Sequence, residues 1–176
     1  MLAVARRIVI ASLALVGISA LSHAQVRARR PMDVRGAGAE ESTKVTLALA
    51  VGAKRYEQTK VGRCTYTPTA SIYNTLAAMW SVQSAVSSNS SLAMTVWRPV
   101  RGDTTAQLNF NVNEGSTRQR IATVKGGEIL GSGTVQVTKR GPGGRFEISG
   151  KTAEGASISG HIDCEKFAAP MPVGGN

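Results

Sequence analysis

The chain has 176 residues, with 21 lysines and arginines against 11 aspartates and glutamates, a formal net charge of +10. Only 5% of residues are aromatic, and there are two cysteines and two histidines. That inventory leaves a zinc site short of its three or four ligands and a nucleic-acid groove short of the rings on which bases stack.

The first residues set the compartment. Arg6 and Arg7 precede an apolar run over residues 8–21, and Ser22-His23-Ala24 follows it. This is the layout of a secretory signal peptide cut between Ala24 and Gln25, with an uncleaved anchor as the alternative. The run is shorter than the roughly 20 residues a membrane helix needs, and no cysteine follows it to carry a lipid. Cleavage over 1–24 leaves 152 residues and a charge of +8, enough for one ordinary domain with a sizeable core. The expected product is periplasmic or secreted, with no transmembrane span after cleavage.

Residues 25–41 are basic, glycine-containing and without periodicity, which predicts a flexible lead. The domain then runs over 42–167, where alternation of apolar and polar residues recurs and the helical period is nearly absent. Val45, Leu47, Leu49 and Val51 share one strand face. A second early strand, "GRCTYT", turns Cys64 and Tyr66 inward. "TASIYNTLAAM", residues 69–79, has ambiguous spacing and reads as irregular or a short turn. "AMWSVQS" and "SLAMTVWRPV" are strands on either side of the turn "SAVSSNSS", and Trp97 faces away from Met94 and Val96, either exposed or against a second sheet. Leu108, Phe110 and Val112 alternate with asparagines. "KGGEILGSG" reads as a turn, then Val135 and Val137, Phe146 and Ile148, and finally Ile158, Gly160, Ile162 and Cys164 mark three more strands. Residues 168–176, with two prolines and a glycine pair, form a flexible tail. The expectation is an all-β, single antiparallel β-sandwich of about eight or nine strands.

Cys64 and Cys164 are an isolated pair in an exported chain, which predicts one disulfide clasping the start of the domain to its end. Two buried thiols are the alternative.

Candidate chemistry is thin. "KRGPGGRFEISG" places Lys139, Arg140 and Arg145 around a glycine-rich bend, but no helix follows to supply the aligned N–H groups of a phosphate loop. A hairpin turn is the simpler account, with an exposed anion docking at its tip as the weak functional one. Once His23 leaves with the leader, His161 is the sole imidazole, flanked by Ser159 and Asp163 at intervals of two. On one strand face these lie about 6–7 Å apart, too far for a linear relay. A hydrolase using His161 with Asp163 or Glu165 is therefore the alternative to a non-enzyme. Arg101-Gly102-Asp103 matches a cell-adhesion tripeptide but also ordinary turn composition. No metal site and no cofactor is expected. The partners expected are an anionic polysaccharide, a lipid headgroup or a protein partner pairing with a sheet edge, with no specific nucleic acid.

The closing stretch "GRFEISGKTAEGASISGHIDCEKF" resembles the final hairpin of the mycobacterial 19-kilodalton lipoprotein antigen family. Phe146, Ile148 and Gly150 match its aromatic-x-Ile-x-Gly strand. Cys164 matches the last-strand cysteine, which pairs with an earlier one, here Cys64. The resemblance implies a small extracytoplasmic sandwich without assigned catalysis. It carries over no catalytic residue, and the family's lipid-attachment cysteine is absent.

Overall fold

A computed structural model describes residues 41–168. The expected leader over 1–24 with its Ala24–Gln25 cleavage, all of the expected lead over 25–41 but its last residue, and all of the expected tail over 168–176 but its first residue lie outside the described residues. Nine antiparallel strands follow one another: β1 (Thr43–Val51), β2 (Lys54–Ile72), β3 (Thr75–Ser87), β4 (Ser90–Pro99), β5 (Gln107–Glu114), β6 (Thr117–Ala122), β7 (Ser132–Arg140), β8 (Gly143–Lys151) and β9 (Ser157–Cys164). The all-β class, the strand number and the Cys64–Cys164 disulfide are as the sequence predicts.

The division into two facing sheets is not seen. Hydrogen bonding runs through one sheet in the order β6-β5-β4-β3-β2-β1-β9-β8-β7, which curls until its two edges meet. At that seam Ala122 and Leu130 exchange backbone hydrogen bonds of 2.8 and 2.9 Å, and the Ala153 N–H donates to the Arg120 carbonyl at 2.8 Å. The Ile121 side chain packs onto the bare backbone of Gly133 and Gly150. The result is a nearly closed barrel, in which exposed edges are largely removed.

Alternation explains the interior. Val45, Leu47 and Leu49 on β1, Leu92, Met94 and Val96 on β4, Phe110 on β5, Phe146 on β8 and Ile162 on β9 are all buried. They fill the barrel with side chains, as expected for one of this size. Outward positions carry Lys44, Thr46, Asn109, Arg118 and Glu147, so the outside is polar and the inside apolar. Among the described residues no helix is long and apolar enough to cross a membrane.

Residues 69–79, expected to be irregular, are the end of β2, a tight turn and the start of β3. Tyr73 and Asn74 occupy the turn with φ of 43° and 64°, the left-handed pair of a two-residue hairpin. The register pairs Ile72 with Thr75 and Ala70 with Ala77.

The disulfide sits where the sheet would otherwise part. β1 begins at Thr43, level with Gly62 of β2, so Cys64 runs past its end. There Cys164, the last residue of β9, is bonded to Cys64 with 6.2 Å between Cα atoms. The following residues take over as partners of β2: the Ala168 N–H donates to the Cys64 carbonyl at 2.9 Å, and the Tyr66 N–H to the Ala168 carbonyl at 3.2 Å. Phe167 then plugs this end of the barrel, its ring 6.0 Å from Phe146 and 6.3 Å from Tyr66.

Candidate functional site

"KRGPGGR" is a hairpin. Arg140 pairs with Gly143 across a two-residue turn of Gly141 and Pro142, with Gly141 at φ 54°, the first central position that favours glycine in such turns. No cradle of N–H groups forms.

Its three cations meet different fates. Register sets Arg145 of β8 opposite Asp163 of β9, and the guanidinium donates through Nε and Nη2 to the two carboxylate oxygens, each at 2.7 Å. That fork-on-fork geometry is the strongest form of the pair. Lys139 lies over the Tyr66 ring, 5.5 Å from its centroid. Arg140 stays 53% exposed and reaches Asp163 only at 4.0 Å. Asp163 carries one negative charge against the two guanidiniums, so the cluster of Arg140, Arg145 and Asp163 keeps a net positive charge.

The curl of the sheet adds a residue that spacing along the chain does not place here. A shallow outer hollow of about 390 Å³ is lined by Lys44 and Thr46 of β1, Thr59 of β2, Arg140, Asp163 and Glu165. The hydroxyls of Thr46 and Thr59 are hydrogen-bonded at 2.8 Å. Lys44 is legible as an outward residue of its strand, but its neighbourhood with Arg140 depends on the pairing of β1 with β9.

His161 is half-buried, its Nε2 3.6 Å from Asp163 Oδ2, beyond hydrogen-bond reach. An acid clamped by arginine holds its charge tightly and is poorly placed to orient an imidazole. Glu165 is exposed, and its backbone N–H donates to the Lys44 carbonyl at 3.0 Å. Of the adhesion-like tripeptide, Asp103 is held by Lys125 Nζ at 2.6 Å and the Thr105 N–H at 3.0 Å. Among the described residues no group of three or more His, Cys, Asp or Glu side chains is placed to hold a metal ion.

Arg145 beside Asp163 holds that carboxyl below its usual range, against the opposing effect of partial burial. A carboxylate whose pKa falls on folding adds stability above its unfolded value near 4, and that stability is lost as pH drops through the folded value. Asp163→Asn is therefore expected to lower the melting temperature clearly near pH 6. The gap to the parent should narrow steadily below about pH 4, read from thermal melts across that range. A gap that stays constant down to about pH 2 would count against the ion pair as its origin.

At the other end of the barrel Tyr56 donates to Glu114 Oε1 at 2.7 Å, and Lys54 is ion-paired with the same carboxylate. Burial and Glu114 push the Tyr56 phenol well above its ordinary value. This triad ties β2 to β5 and offers no group poised to react.

Models of known protein families, curated proteins and solved structures yield no match to this chain.

Proposed function

We propose that this is an exported binding protein, without catalytic activity, that contacts anionic components of the cell envelope through the outer hollow beside the β7–β8 hairpin. The observation that carries this reading is the excess positive charge of Arg140 and Arg145 around the single carboxylate of Asp163, with Arg140 the more exposed of the two and Lys44 across the same hollow. The interior is filled by side chains, so a ligand has only the outside to meet, and that outside belongs to a chain of charge +8 once residues 1–24 are removed. A surface of this sign draws polyanions by summed potential more than by close fit. The disulfide suits the oxidising compartment to which the leader points.

On immobilised anionic polysaccharide at low salt, the protein should be retained, and elution should come early as salt screens the contact. Reversing Lys44 and Arg140 to glutamate should weaken retention about tenfold, the effect of losing a few exposed ion pairs of up to ~1 kcal/mol each. Unchanged retention by the double variant would overturn the assignment of this hollow. The disposition of His161 and Asp163 predicts no loss of any function in His161→Ala.

A further inference from the structure

A second, larger concavity lies on other strands. It occupies about 610 Å³ on the outer face of β4, β5 and β6. Its floor follows from strand register. Val96 and Met94 point into the barrel and are buried, so Trp97 points out, beside Gln107 of β5. Further along β5 the outward residues are Asn109 and Asn111, opposite Ala122 and Arg120 of β6. The β2–β3 hairpin tip and the segment over residues 127–130 form the walls. The Tyr73 ring lies flat on that segment, so close that a methyl group on Gly127 would meet the phenol oxygen at 2.7 Å.

The polar groups of the floor are unevenly committed. Arg120 is spent on Glu154, with Nε donating at 2.9 Å and the backbone N–H at 2.8 Å. Arg118 donates through Nε to Asn111 Oδ1 at 2.7 Å and has no acidic partner among the described residues. That single bond orients both side chains and leaves the other guanidinium N–H groups and the Asn111 amide N–H₂ for a ligand. Glu128 on the wall brings the opposite charge, so the concavity is close to neutral.

This set of groups selects among ligand classes. A polyanion finds little net charge, and a wholly apolar ligand would strand the amides and guanidinium without partners. A sugar ring satisfies both halves: its C–H face covers an indole, and its neighbouring hydroxyls both donate to and accept from amide and guanidinium groups. We propose that this concavity binds a chain of hexopyranose sugars, with Trp97 as the stacking platform and Asn109, Asn111 and Arg118 as the hydroxyl-reading groups. The site is separate from the charged hollow and does not depend on it.

The two tryptophans of the chain make a direct test. Trp80 is buried and stacked on Tyr66 at 5.1 Å, so a ligand at the concavity reaches Trp97 alone. Purified protein is titrated with cellohexaose, chitohexaose and hexagalacturonate while tryptophan emission is followed at low and high salt. The expected result is a saturable change with at least one of them, insensitive to salt. It should weaken tenfold or more in Arg118→Ala, an exposed position that leaves folding intact, and in Trp97→Phe, where calorimetric titration replaces the lost emission, and persist when Lys44 and Arg140 are reversed. No response to any of the three overturns the proposal. So does binding that disappears with salt or survives both Trp97→Phe and Arg118→Ala.

Discussion

Replacing Cys64 and Cys164 by alanine is expected to lower the melting temperature by roughly 10–20 °C, the effect of losing about 2–5 kcal/mol from a domain of this size. The pair is separated by 100 residues, a loop long enough for the chain-entropy model to assign about 4.7 kcal/mol. Position argues for the upper part of that range. The bond lies where β1 has ended, and only the segment over 165–168 continues the sheet beside β2 there. Apart from the disulfide, that segment is held by hydrogen bonds of Glu165 to Lys44, Lys166 to the Thr43 hydroxyl at 3.2 Å, Phe167 to Pro142 at 2.9 Å, Ala168 to Cys64 and Tyr66 to Ala168. Without the covalent bond, the Phe167 plug is expected to depend on these hydrogen bonds and its ring contacts alone. Thermal melts of the double variant and of the parent with and without reductant check this, because reduction removes the bond while keeping both side chains. A fall of less than about 3 °C in both cases would show that packing alone holds the segment.

How far the fold could be read from the chain depended on where its polar residues point. β1, β5, β8 and β9 are plain in the sequence because apolar residues face the barrel interior and polar ones face out. The first half of β2 is hidden because Tyr56, Gln58 and Lys60 lie on the inward side, opposite Leu49, Leu47 and Val45. There Gln58 and Lys60 reach across to the carbonyls of Ala85 and Val86. β6 is hidden too, since "TRQRIA" offers the core only Ile121. The β2–β3 turn escapes because Tyr73 occupies a position where glycine or asparagine is the usual mark. Alternation distinguishes inside from outside equally well in a sandwich and a barrel. What decides between them is the pairing of first strand with last, and no local pattern records it.

The site divides along the same line. That Arg145, His161 and Asp163 face out could be read from their strands, and so could the outward turn of Trp97. That Asp163 belongs to Arg145 rather than to His161 required the register of β8 on β9. That Trp97, Asn111 and Arg118 share one floor required three strands and an overhanging hairpin to be placed together.

Gly160→Ala is expected to cost about 2–5 kcal/mol, enough to lower the melting temperature by roughly 10–20 °C or to stop the protein accumulating. Gly160 lies in the middle of β9, opposite Leu49 of β1 and Ile148 of β8, at a φ of 131°. A side chain there carries a backbone cost of about 1–3 kcal/mol. The added carbon would also stand 2.1 Å from the Ala48 carbonyl oxygen and 2.9 Å from Leu49 Cα. These are backbone atoms of the central pairing, so no side-chain rotation relieves them, and overpacking of this kind adds about 1–3 kcal/mol. Ser159→Ala, one residue away on the outer face, should stay within about 0.5 kcal/mol of the parent. The close pairing of β9 with β1 is also what carries Cys164 towards Cys64, so Gly160→Ala should slow disulfide formation on refolding as well. If Gly160→Ala melts with Ser159→Ala and oxidises at the parent's rate, the strand has room to shift there. The placing of Cys164 must then come from β8 alone.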